Sequence, residues 1–143
     1  MHIDYQNTFD PTGTALTATR VSTNYLDTRG AGDVGIGCPL YVDIVVHTLF
    51  ASGGSSTLTV TLETDDNTSF SSATTLWTSG AIPKASLVKG YRLQFPVPVG
   101  AERYLQLRYT VGTADFTAGK LNAFLLPEQG QNDRVYATTV PTP

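Results

Sequence analysis

The feature that most constrains this chain is a hydrophobic period of two residues. In Thr57–Thr64, Leu58, Val60 and Leu62 alternate with Thr57, Thr59, Thr61 and Glu63. In Arg103–Val111, Leu105, Leu107, Tyr109 and Val111 alternate with Tyr104, Gln106, Arg108 and Thr110, and Tyr91, Leu93 and Phe95 repeat the pattern opposite Arg92 and Gln94. Successive side chains of a strand point to opposite faces, so this period builds strands with one buried face. Threonine, serine and valine are abundant, and β-branched side chains fit a pleated surface better than a helix turn. No stretch carries a 3.6-residue apolar stripe of helical length; Pro83–Lys89, ended by Gly90, is long enough for one turn.

Leu40–Phe50 differs in being apolar on both faces, with Leu40, Val42, Ile44, Val46 and Phe50 on one and Tyr41, Val45 and Leu49 on the other. It reads as a long central strand whose second face is covered by another element or another subunit. Weaker strands are expected near Ala15–Arg20, Ser22–Asp27, Thr74–Ser79 and Lys120–Leu126, separated by glycine- and polar-rich turns. About eight short strands at regular spacing predict an all-β antiparallel sandwich, a jelly roll, with an immunoglobulin-like sandwich as the alternative. The domain is expected over 15–126, flanked by an extended N-terminal arm, 1–14, and an extended C-terminal arm, 127–143. At about 3.3 Å per residue such arms would reach roughly 45–55 Å.

Charge narrows the function classes. The 143 residues carry 9 Lys+Arg and 12 Asp+Glu, 15% charged, with a net charge of −3. An ordinary soluble domain is about 25% charged. The pI near 5.1 leaves no basic footprint for phosphate neutralisation, so nucleic acid is not an expected partner. No run of 18 apolar residues exists to span a membrane. The N-terminus shows no basic and apolar leader, and the single cysteine, Cys38, permits no internal disulfide, which together suggest synthesis in a reducing compartment.

Catalytic signals are thin. His2 and His47 have no motif around them; His47 shares a strand face with Tyr41, Asp43 and Val45, a placement that could bring it near Asp43. Cys38 has no C-x-x-C partner for zinc. Gly30–Gly35 spells G-x-G-x-x-G, but a strand follows where a dinucleotide site needs a helix, so it reads as a glycine-rich loop. Asp65-Asp66-Asn67 spells half of a calcium loop without the later glutamate and reads as a hairpin turn. Neither a nucleophile elbow nor a pair of acids set apart for glycosidase work is present. The chain is expected not to be an enzyme and to hold no cofactor and no metal.

Several phrases in succession carry a resemblance. Ser22-Thr23-Asn24-Tyr25-Leu26-Asp27 precedes Gly35-Ile36-Gly37 and Pro39-Leu40-Tyr41-Val42. Leu58–Asp65, Arg103–Tyr109 and Phe116–Ala123 follow in order. Over roughly residues 15–126 this resembles the jelly-roll capsid cement, or decoration, proteins of tailed bacteriophages, a family with a Bordetella phage member. The resemblance implies a structural protein, made in the host cytoplasm, that sits as an oligomer on the outer surface of the phage head. It would bridge major capsid protein subunits and stabilise the shell, at two-fold or three-fold positions. A homotrimer is favoured over a homodimer. No functional residue carries over from the family. From the chain itself, Tyr5, Phe9, Arg29, Asp33, Val135 and Tyr136 are the candidate partner-binding residues. The rival from another class is a carbohydrate- or receptor-binding sandwich, with Trp77, Tyr41 and Tyr104 as platform candidates.

Overall fold

The computed structural model describes residues 5–28 and 39–126. Within them the alternating segments pair into two antiparallel sheets. The first, sheet A, has the order β1 (Thr8–Ala15), β9 (Ala118–Leu126), β4 (Tyr41–Ala51), β7 (Arg92–Pro96). The second, sheet B, has β2 (Arg20–Val21), β8 (Tyr104–Gly112), β5 (Thr57–Asp65), β6 (Thr74–Pro83), with β3 (Leu26–Asp27) also on β8. β2 and β3 occupy one strand position broken in the middle, which makes eight positions, four per sheet. The first strand pairs the last, and every sequential connection changes sheet except the β5–β6 hairpin and the break between β2 and β3. This is the jelly roll. An immunoglobulin-like sandwich would instead put its first strand beside its second in sequence.

The buried face of each strand is the one the period marks. Leu58, Val60 and Leu62 share the inner face of sheet B with Leu105, Leu107 and Tyr109, and Val42, Ile44, Val46 and Phe50 supply the core from sheet A; all are at most 4% exposed. Fully burying one such side chain stabilises the fold by about 1.5–3 kcal/mol. β9 threads between β1 and β4, and its Gly119 is there because a Cβ would run into the Phe50 ring. Among the described residues the only helical pieces are single 3-10 turns at Tyr5–Asn7 and Lys84–Ser86, the second inside the turn expected at Pro83–Lys89. No helix there is long and apolar enough to cross a membrane.

The structure corrects two expectations. Thr8–Thr14 is not an arm: it is most of β1, paired with β9, so the sandwich starts at Thr8. Pro11 and Gly13 fit because β1 is an edge strand with register shifts, where a missing N–H and a bulge are tolerated. Ala15–Arg20 and Ser22–Asp27 are not continuous strands either. The Ser22 hydroxyl donates to the Asn24 carbonyl and accepts from the Leu107 amide, and the Asn24 amide donates to Phe9, so local polar bonds draw the chain out of the ladder. Within the single chain, β4 is covered on its second face only in its first half. Asp43 is 1% exposed and Tyr41 and Val45 are half-buried, whereas His47 is exposed and Leu49 is 52% exposed.

Candidate interaction surfaces

The residues expected to bind a partner do not form one site. Phe9 is fully buried in the core between the sheets, so its phenyl ring anchors β1 and presents nothing to a neighbour. Tyr5 opens the first 3-10 turn. Arg29, Asp33, Val135 and Tyr136 lie outside the described residues, as do Cys38, His2 and the Gly30–Gly35 loop.

The ionic groups brace the sandwich. All four arginines among the described residues pair with a carboxylate on a nearby strand: Arg20 with Asp10, Arg92 with Asp43, Arg103 with Asp27 and Arg108 with Glu63. Arg92 grips Asp43 with two bonds of 2.7 Å, so the carboxylate that sequence set near His47 belongs to Arg92; the His47 Nδ1 lies 3.0 Å from the Thr48 hydroxyl. Glu63, on the outer face of β5, accepts from Gln106 at 2.7 Å and Arg108 at 2.6 Å. With these charges compensated across neighbouring strands, the outer face of sheet B between them is threonine-rich and neutral.

Asp65 is fully buried at the end of β5, and its oxygens accept from the Asn67 amide and side chain and from the Ser72 amide and hydroxyl. Burial would push its carboxyl up, but the amide bonds from Ser72 and Asn67 outweigh that and hold it below the ordinary carboxylate value. Asp65-Asp66-Asn67 is therefore a hydrogen-bonded turn. Glu102 brings a third carboxyl to it, with candidate ligand atoms of all three acids within 4.8 Å. The Asp65 oxygens are already engaged by the turn.

The proposed platform residues also have other duties. Trp77 in β6 stacks on Phe95 in β7, centroids 3.6 Å apart and planes at 9°, and so ties one sheet to the other. Tyr104 instead belongs to an aromatic cluster at one end of sheet B. Its ring meets Tyr25 edge-on at 5.7 Å and 88°, Tyr25 meets Phe70 at 6.3 Å and 56°, and the Arg103 guanidinium lies 4.9 Å from the centre of the Tyr104 ring. Tyr25 is 49% exposed. Phe70 holds a left-handed φ of 49°, a conformation bulky side chains rarely adopt and one that costs on the order of 1–3 kcal/mol. Beside Tyr25 opens a cleft of about 480 Å³ lined, among the described residues, by Gln6, Thr8 and residues 23–27.

This cluster was not among the expected sites, but it left a trace. Tyr104 takes the solvent phase of its strand, opposite Leu105 and Leu107. Tyr25 likewise stands out of phase with buried Leu26, and Phe70 is a lone aromatic in a Ser/Thr/Asn turn. Aromatics at polar phases are the signal; that they converge is a tertiary fact.

A known family matches this sandwich over residues 11–125, nearly from β1 to the end of β9. The chain belongs to the Bbp16 family. It is a family of Bordetella phage proteins, which agrees with the phage resemblance of the strand phrases. The Bbp16 match begins inside β1, which places that strand with the domain. No curated protein matches the chain.

Proposed function

We propose that this chain is a capsid cement, or decoration, protein that binds the outer surface of a tailed-phage head as an oligomer. It bridges major capsid protein subunits and stabilises the shell, and it is a binding protein and not an enzyme. The observation that carries the reading is the match to a phage-protein family across the whole sandwich. The chemistry is compatible. Arginines that pair within the chain leave a weakly charged exterior, and surfaces that pack against protein neighbours are depleted of charge in their cores. A bridging protein also gains from multivalency, because each further subunit contact benefits from a high effective concentration.

Adding the purified protein to undecorated, expanded phage heads should give saturable binding and raise the temperature at which the heads fail. Absence of both would overturn the reading. The isolated chain is expected to be a homotrimer, with a homodimer as the other allowed state. Light scattering that reports a monomer at tens of micromolar would remove the oligomer. Nucleic acid and membranes are not expected partners.

The carbohydrate-binding alternative retains one observation in its favour, the exposed aromatic cluster at Tyr25. Its rings meet at 88° and 56°, so they do not share the plane on which a sugar ring would stack.

A further inference from the structure

The aromatic cluster at the end of sheet B has a composition that the fold alone does not require. Tyr25 lies outside the hydrophobic core and is about half exposed, yet the Phe70 and Tyr104 rings both meet it, and the Arg103 guanidinium lies over Tyr104. Tyrosine and arginine are the residues most enriched where binding energy concentrates, since they combine large rigid surfaces with polar tips. Tyr104 stands at the centre, paired with Asp27 of β3 on one side and Asp65 of β5 on the other. Around this patch the charge is one-sided. Arg103 is paired with Asp27 through two bonds of 3.0 Å, whereas Asp66 and Glu102 add two exposed carboxylates beside the turn.

We propose that this patch docks a basic segment of the partner protein, an arginine or lysine side chain settling on the exposed Tyr25 ring, with the carboxylates of Asp66 and Glu102 at the same end of sheet B drawing it in. An exposed tyrosine ring attracts a cation over its face, and carboxylates at the same end steer it there. The same carboxylates argue against the other occupants. A second copy related by a two-fold axis at this patch would bring Asp66 and Glu102 against themselves, and a phosphate backbone would be repelled. The proposal rests on the reading of the chain as a shell-binding protein and adds which end of the molecule faces the shell.

The test uses the full chain and stripped, expanded heads of the phage that encodes it, with binding measured over a range of salt. Tyr25→Ser, at a position outside the core, should keep the melting temperature within a few degrees and weaken head binding at least tenfold. Glu102→Lys should weaken it several-fold and flatten its dependence on salt. Leu49→Ser, on the outer face of sheet A, should bind as the parent chain does. Parent-like binding by Tyr25→Ser, an unchanged salt dependence in Glu102→Lys, or an equal loss in Leu49→Ser would each overturn the patch while leaving the shell-binding function standing. Displacement from heads by a neutral polysaccharide, with no effect of salt, would assign the patch to a glycan and overturn the proposal. If the parent chain does not bind heads at all, the shell-binding function fails and this proposal fails with it.

Discussion

The two open sides of the sandwich solve one mechanical problem with opposite chemistry. Where β1 lies over β2, the sheets are joined by a polar knot: fully buried Asp10 accepts from the Tyr109 hydroxyl at 2.6 Å, the Thr23 hydroxyl at 2.7 Å, and the Thr23 amide and Arg20 at 3.0 Å each. Arg20 also lies 5.1 Å from the centre of the Tyr109 ring. Where β7 lies over β6, the join is a Trp77–Phe95 stack with no ionised group in it. The knot fixes register, because each bond has one geometry, but it carries a buried charge that must stay paired. The stack tolerates adjustment and has nothing to titrate. β2 and β3 are two residues each and supply few ladder bonds, so directional side-chain bonds compensate there, whereas ten-residue β6 is held along most of β5.

Removing the acceptor at the centre of the knot should have the largest effect. Asp10→Ala takes the acceptor from the buried Tyr109 hydroxyl and from the Thr23 hydroxyl and amide, and leaves the partly buried Arg20 with the Val21 carbonyl alone. At about 1–3 kcal/mol for each buried donor left unsatisfied, the loss is about 3–5 kcal/mol, a large part of the ~5–15 kcal/mol that holds a domain folded. Chemical denaturation is the measurement, and a loss below about 1 kcal/mol would mean that the knot is not structural. Trp77→Ala should come next. A fully buried tryptophan would cost about 3–5 kcal/mol, and the half-buried position reduces that to roughly 2. Its loss should be the same at pH 6 and pH 9; a pH-dependent loss would break the contrast between the two sides.

How much of this was visible beforehand follows the same division. β5, β7 and β8 alternate cleanly and β4 is one long apolar run, so these strands and their part of the core could be read from the hydrophobic pattern, whereas β9 shows in sequence only as a weaker strand. β1 could not be read this way, because Phe9 is its one large apolar residue, set among Thr8, Asp10 and Pro11, and an edge strand with bulges does not alternate. It therefore reads as an arm, and Phe9 as a contact, although the ring is core. The knot was equally hidden. Asp10 and Tyr109 are 99 residues apart, and nothing local marks the tyrosine as a donor to a buried acid. Ion pairs between adjacent strands, such as Glu63 with Arg108, become legible only once register is known. The aromatic cluster assembles from the residue before β3, a turn and β8, which no window of sequence brings together.

The smallest expected effect is also the one that separates the two sides most cleanly. Burial, with the negative charge of Asp10 beside it, pushes the Tyr109 phenol well above its ordinary value near 10. A group whose pKa is raised by folding contributes stability that is fully present below the unfolded value and lost as pH rises towards the folded one. Up to about pH 10 the knot should thus be indifferent to alkali; above it the unfolded chain releases the phenolic proton while the folded chain retains it, and stability falls. Tyr109→Phe removes that slope at this site. It also leaves one Asp10 oxygen without its donor, at about 1–2 kcal/mol near neutral pH, less than the loss of the carboxylate because Arg20 and Thr23 still hold Asp10. Denaturation of both proteins between pH 8 and 11 should show curves that differ at pH 8 and converge with rising pH. Parallel curves would mean that Tyr109 keeps an ordinary phenol and that the knot is wetter than its geometry implies.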